Sequence, residues 1–156
     1  MHLVLVEPEI PGNTGNVGRS CVGNGVPLHL VGRCGFSLDD KYLKRAGLDY
    51  WQHLDLRQHS GWEEFLQSLP QSEPSLLFFE KDGAREHWTA PYTEESYLIF
   101  GSETRGFPQE IVEKYGGFFY RIPMTGPIRS LNLSSAAAVV LYEALRQTKY
   151  HKEDEK

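Results

Sequence analysis

The chain has 156 residues, 40% of them hydrophobic and 24% charged, with a formal net charge of −5. That length allows one domain with a real core, and the acidic balance excludes a nucleic-acid binder that works through bulk charge alone. No apolar run reaches the roughly 18 residues of a membrane helix, and the opening MHLVLVEPEIPG lacks the basic region of a signal peptide.

Taken in order, His2 to Glu7 (HLVLVE) predicts a buried strand, ended by Pro8, Pro11 and Gly12. Asn13 to Asn24 predicts a helix of poor propensity, because Gly15, Gly18 and Gly23 each cost about 1 kcal/mol against alanine. Such a helix is tolerated where its backbone must lie close to something. Leu28 to Val31 predicts a second strand. Ser37 to Arg45 predicts a short helix with Asp39 and Asp40 in its first turn, and Lys41, Lys44 and Arg45 as the densest basic cluster. Tyr50 to Arg57 reads as extended. Ser60 to Leu69 reads as an amphipathic helix with Trp62, Phe65, Leu66 and Leu69 on one face.

Ser75 to Glu80 and Tyr97 to Phe100 are continuous apolar runs, as in the central strands of a parallel sheet. Lys81 to Tyr92 between them reads as a polar loop. Pro108 to Tyr115 predicts a short helix, and Phe118 to Ile122 the last strand. Ile122 to Asn132 is a loop shaped by Pro123, Gly126 and Pro127. It feeds a helix, Leu133 to Leu145, with Asn132 or Ser134 as N-cap. Leu133, Ala137, Val140, Leu141 and Ala144 share one face of that helix. Ala136, Ala138, Val139 and Leu145 make it apolar nearly all round, which predicts cover on both sides.

Alternating strands and helices define an α/β fold with a mostly parallel sheet, helices on both faces, in one domain (1–150) with a charged tail (151–156). Ligands of such sheets bind outside the C-terminal strand ends. The loops after Val6, Phe100 and Ile122 should therefore meet at one edge. Each carries one arginine: Arg19, Arg105 and Arg129. Three guanidinium groups on one edge would suit phosphate oxygens. The glycines Gly12, Gly15 and Gly18 do not have dinucleotide-fingerprint spacing, and there is no Walker or GxSxG motif. Cys21 and Cys34 lack CxxC or ligand spacing, and none of the six histidines pairs with a His or Cys at ligand spacing, so no metal site and reduced, cytoplasmic thiols are expected.

Three blocks carry a family resemblance: EPEIPGNTGNVGR (Glu7–Arg19), FGSETRGFP (Phe100–Pro108) and IPMTGPIRSLNLSSAAAVVLYEA (Ile122–Ala144). A fourth, KRAGLDYW, spans Lys44–Trp51. The chain resembles the SPOUT-class RNA methyltransferases, and within them the small single-domain branch that 2′-O-methylates the wobble nucleotide of tRNA. The resemblance implies a C-terminal deep trefoil knot, which ordinary topology rules would not predict. It implies S-adenosylmethionine as cofactor, with Phe79, Gly101, Glu103, Ile122, Met124, Ser130 and Leu131 lining its pocket. It implies Arg19 and Asn132 as catalytic, and a homodimer packed through the last helix. The basic residues Lys41, Lys44, Arg45, Arg105 and Arg129, with Arg146 and Lys149, are the expected contacts to RNA, here the anticodon stem-loop of tRNA. Leucine tRNAs are the implied substrates. Another RNA target such as rRNA, and a catalytically silent RNA-binding knot protein, are the alternatives.

Overall fold

The computed structural model describes residues 1–38, 50–72 and 74–150. Among the described residues seven strands form one sheet: β1 (His2–Val6), β2 (Leu28–Val31), β3 (Leu56–His59), β4 (Leu76–Phe79), β5 (Arg85–Glu86), β6 (Tyr97–Phe100) and β7 (Tyr120–Arg121). Their order is β3-β2-β1-β6-β4-β7-β5, and every pairing between them is parallel. The chain winds outward from β1 to β3, then crosses to the other half, so the order reverses beside β1 and β6. That reversal opens a crevice at the C-terminal strand ends, where ligands of open α/β sheets bind.

Helices cover both faces, as the alternating pattern predicts. On one side α1 (Pro11–Asn24) and the long C-terminal helix, α4 (Leu133–Leu145), pack on each other and on the sheet. Leu3, Leu5, Val17, Cys21, Leu98, Ala137, Val140, Leu141 and Ala144 form that core. On the other side α2 (Trp62–Gln67) and α3 (Gln109–Tyr115) bring Trp62, Phe65 and Ile111 against Val4, Phe78 and Ile99. The predicted inner face of α4 is buried, but Val139 is 40% and Tyr142 58% exposed, so within one chain the outer face is bare.

Two local readings change. The extended segment predicted from Tyr50 to Arg57 splits into a 3-10 turn, Trp51–His53, followed by β3. The loop predicted from Lys81 to Tyr92 contains β5, an edge strand beside β7. Two residues with no apolar alternation leave no periodic signal. Gly83 makes the crossing possible, since a Cβ there would stand 2.4 Å from the Tyr120 carbonyl carbon. The predicted helix from Ser37 to Arg45, with Lys41, Lys44 and Arg45, lies outside the described residues except for its first two positions, as does the tail 151–156.

Histidines that look scattered in sequence assemble on the α2 side of the sheet. His2 Nδ1 and His29 Nε2 share a hydrogen bond at 3.0 Å, and His29 Nδ1 and His59 Nε2 one at 2.9 Å. A neutral His29 can donate to one neighbour and accept from the other; a charged one has two donors and no acceptor. Burial, first, and then the neighbouring positive charge lower His2 to about 4 and His29 to about 3. Burial also lowers His59. Folded values below the unfolded one mean stability that is complete above about pH 6.5 and is lost as pH falls toward those values. After allowance for the partly exposed His2 and His59, chemical denaturation at pH 5 should show a loss on the order of 1–2 kcal/mol relative to pH 7.5. His29→Gln should flatten that slope.

Candidate active site

The three loops singled out by the sequence do meet, and one carboxylate ties two of them. Glu103, in the loop after β6, accepts from the backbone N–H of Glu9 at 2.8 Å and of Ile10 at 3.1 Å, and from Asn13 Nδ2 at 3.1 Å. Ile10 is the N-cap of α1 and has no side-chain cap of its own. Glu103 therefore supplies, from another loop, the negative charge that a helix N-terminus favours. Asn132, in the loop after β7, donates from Nδ2 to Asn13 Oδ1 at 2.9 Å. Its Oδ1 accepts from the Ser134 N–H at 2.9 Å and so caps α4. Asn13 is 6% exposed and joins the two systems. Its helical position near the entry of α1 was in plain view; its partners, about 90 and 119 residues away, were not.

Asn132→Ala removes both the cap and the link to Asn13. A loss of about 1–2 kcal/mol in thermal or denaturant unfolding is expected, the range for a cap plus one buried hydrogen bond. Asn132→Asp should keep the cap and lose only the donated bond.

Beside this junction lies a cleft of about 870 Å³. Phe79, Phe100, Ile122, Leu131 and Leu133 supply its apolar wall; Gly101, Ser130 and Asn132 line it as well. Glu80, Lys81, Asp82, Glu103, Arg105 and Arg129 bring charge to it. The floor depends on glycine. Ser102 and Gly106 pair across a tight turn, Ser102 N–H to Gly106 O at 2.9 Å and Gly106 N–H to Ser102 O at 3.1 Å. Gly106 has φ +69°, and a Cβ on Gly101 would stand 2.5 Å from its carbonyl carbon. The turn thus lies flush against the end of β6 and leaves the space above open.

Of the expected cofactor residues, Phe79, Gly101, Glu103, Ile122, Ser130 and Leu131 line the cleft; Met124 does not. The Glu103 carboxylate is already engaged by three loop donors, so it holds the loops. Arg129 lines the cleft and makes no hydrogen bond or ion pair with other described residues. Arg105 lines it too, but its Nε reaches Glu9 Oε1 at 3.0 Å and its Nη2 reaches Glu7 Oε2 at 3.5 Å. Glu9 is held further by the Thr104 hydroxyl and N–H at 2.6 and 3.0 Å, and these bonds, ahead of Arg105, keep its carboxyl below the usual range. This acidic anchor has no local signature, since Glu9 and Arg105 lie 96 residues apart in the chain. A smaller cleft of about 310 Å³ shares Arg105 and adds Arg33, another residue the motif reading passed over.

Arg19 is a correction to the expectation that three arginines converge. It stands on the exposed side of α1, outside the lining of the cleft, because it lies six positions further along the helix than Asn13. Its guanidinium lies over the Tyr50 ring, 5.6 Å from the centroid. Arg146 makes a two-pronged ion pair with Glu143, at 3.0 and 2.8 Å. Cys21 is fully buried and its thiol is pushed up to about 12, which removes it as a nucleophile at neutral pH. Among the described residues no group of three or more His, Cys, Asp or Glu is placed to hold a metal ion, and no helix is long and apolar enough to cross a membrane.

A parallel sheet whose loops line a cleft of glycine and apolar side chains at its C-terminal strand ends has the arrangement in which open α/β folds bind small-molecule ligands, and comparison with known proteins identifies its class as methyltransferase. The chain belongs to the SpoU rRNA Methylase family, which matches residues 1–142. It is 45% identical over 154 residues to a tRNA (cytidine(34)-2′-O)-methyltransferase from Yersinia pestis, covering 96% of this chain and 95% of that one. It is 43% identical over 153 residues to a putative enzyme of the same description from Bacillus subtilis, covering 96% and 94%. A solved structure concerned with 2-OH methylation of C/U34 on tRNA superposes with a TM-score of 0.88 at 47% identity, covering 94% of both chains. An AdoMet-bound rRNA methyltransferase from Sinorhizobium meliloti superposes with a TM-score of 0.83 at 25% identity, covering 94% of this chain and 56% of that one.

Proposed function

We propose that this protein transfers the methyl group of S-adenosylmethionine to the ribose 2′-hydroxyl of the wobble nucleotide of tRNA, a cytidine or modified uridine at position 34, with leucine tRNAs as substrates. The observation that carries the reading is the closed junction of Asn13, Glu103 and Asn132 at the rim of the cleft floored by Gly101. It sits in a chain that matches C34 methyltransferases over nearly its full length.

The cleft fits the cofactor. Its volume lies within the roughly 300–1,000 Å³ of small-molecule sites. Phe79, Ile122 and Leu131 offer apolar surface for an adenine ring, and the backbone around Gly101 and Ser130 offers hydrogen-bonding groups. Bound S-adenosylmethionine supplies an electrophilic methyl on a sulfonium, a leaving group that departs neutral. What the chain must add is alignment of the attacking hydroxyl and a route for its proton, and alignment can supply most of the acceleration. Asn132 faces the cleft from a position fixed by its own cap and by Asn13, and we assign it to the target ribose. Arg129 grips phosphate beside the target nucleotide.

Arg19 is assigned to the RNA phosphate next to the reacting ribose, where a guanidinium stabilises the developing alkoxide. A guanidinium is a poor base, so the hydroxyl proton leaves to the RNA phosphate or to water. Lys41, Lys44, Arg45 and Lys149 extend the contact along the anticodon stem-loop. A deep trefoil knot of the C-terminal segment belongs to this reading; what supports it is the place of β7 between β4 and β5, both earlier in the chain. The enzyme works in the cytoplasm.

A second copy covers the outer face of α4. The bare Val139 and Tyr142 support this, as does the need of an acidic chain for a doubled basic surface. Tyr142→Asp is expected to yield a folded monomer, seen by sedimentation, that binds tRNA at least about tenfold more weakly. A monomer with full activity would refute the role of the dimer.

The deciding experiment is transfer of labelled methyl from S-adenosylmethionine to tRNA from cells lacking this protein, with nucleotide mapping. A 2′-O-methyl at position 34 confirms reaction and substrate. Label only in rRNA moves the target while keeping the chemistry, and no label with no cofactor binding overturns the enzymatic reading.

A further inference from the structure

We propose that Tyr50 is the positioning residue of Arg19, holding its guanidinium in place from outside the helix that carries it. Among the described residues Arg19 makes no ion pair or side-chain hydrogen bond; the contact that orients it is the Tyr50 ring, 5.6 Å from the guanidinium carbon. That is within cation–π range. The same ring is anchored to the same helix. Tyr50 Oη donates to the Gly15 carbonyl oxygen at 2.7 Å. In an α-helix the carbonyl of residue 15 is also the partner of the N–H of residue 19. One tyrosine therefore grips both ends of the turn from which Arg19 projects.

The neighbouring side chain completes the clamp. Trp51 fills the notch left by Gly18, where a Cβ would stand 2.8 Å from Trp51 Cζ3 and 3.2 Å from Leu54 Cδ2. Glycine at 18 lets the aromatic pair lie against the helix backbone, and the 3-10 turn Trp51–His53 keeps both rings on that side. Burial holds the Tyr50 phenol above its ordinary value, so it remains a donor at neutral pH, with Arg19 acting in the opposite sense. An exposed arginine has many rotamers, and gripping a phosphate requires one of them. A flat aromatic face restricts that choice without using any of the five N–H donors, which stay free for the RNA. Tyr50 and Trp51 thus acquire a role in the reaction without touching the substrate.

The inference rests on the assignment of Arg19 to the reacting ribose. The test is single-turnover methyl transfer to tRNA by the full chain carrying Tyr50→Phe, Tyr50→Leu, Arg19→Gln, and Tyr50→Leu with Arg19→Gln together, alongside thermal melting and cofactor binding. Tyr50→Leu should slow transfer about tenfold with cofactor affinity unchanged. Tyr50→Phe, which keeps the face, should recover most of the rate. In the Arg19→Gln background, Tyr50→Leu should cost nothing more, because the side chain it orients is gone. If Tyr50→Leu melts early, Tyr50→Met takes its place, with similar bulk and no π face. A wild-type rate for Tyr50→Leu, or an equal loss in both backgrounds, would overturn the positioning role while leaving Arg19 in place. A wild-type rate for Arg19→Gln would instead remove Arg19 from the mechanism, and this inference with it.

Discussion

Gly101→Ala is expected to abolish useful cofactor binding while leaving most of the fold standing. The added Cβ would lie 2.5 Å from the Gly106 carbonyl carbon, 2.7 Å from its oxygen and 2.7 Å from the Phe107 nitrogen. These are backbone atoms, so no side-chain rotation relieves the clash. Either the end of β6 or the turn from Ser102 to Gly106 must move. Gly106 resists, because its φ of +69° and the Glu80 carboxylate, 2.8 Å from where its own Cβ would be, leave it little room. The turn also carries Glu103, so its displacement loosens the cap on α1 and the link to Asn13. Overpacking of this kind costs roughly 1–3 kcal/mol, and at the upper end about a 100-fold loss of affinity if it falls on the bound state. Calorimetric titration with S-adenosylmethionine reads the loss directly. Phe100 and Phe107 flank the turn and belong to the two core clusters, so some stability is lost as well; the other members of both clusters come from outside the turn, and circular dichroism should keep its native form. Wild-type affinity in Gly101→Ala would mean that the cofactor does not sit over this floor.

Arg19→Ala should be the most damaging single substitution for turnover. Removal of one preorganised donor that stabilises developing negative charge typically costs about 10²–10³-fold in rate. Arg19 is exposed and makes no ion pair among the described residues, so little stability should be lost with it. The expected pattern is a normal melting temperature, normal cofactor affinity and a collapsed rate of methyl transfer at saturating tRNA. Arg19→Lys should recover little, since an ammonium cannot grip phosphate with two parallel bonds. Near wild-type turnover in Arg19→Lys would exclude that two-pronged grip. Because Arg19 lies outside the cleft of its own chain, this experiment also asks whether the RNA bridges the distance between α1 and the cleft.

Both predictions concern residues that the sequence pointed to, yet their physical reasons come from different levels. The sequence by itself determined the layers. Continuous apolar runs at Leu76–Phe79 and Tyr97–Phe100, too short for helices, read as strands buried on both faces, and the apolar stripe from Leu133 to Ala144 reads as a core helix. Asn132 as a cap, and loops after β1, β6 and β7 on one edge, follow from local rules of the same kind, since a cap bonds two residues away and parallel strands share their ends. Only the tertiary structure decided what those loops do to each other. Glu103 satisfies the entry of α1 from about 93 residues away, Arg105 is drawn to Glu7 and Glu9 rather than left free, and Tyr50 meets Arg19 and, 35 residues away, Gly15. Such partners share no spacing or period, because hydrogen-bond reach is a property of distance in space. The edge strand β5 and the bare outer face of α4 were hidden for the same reason: two residues beside β7 are a strand only because β7 is there, and an apolar face is covered or open according to what the fold brings against it.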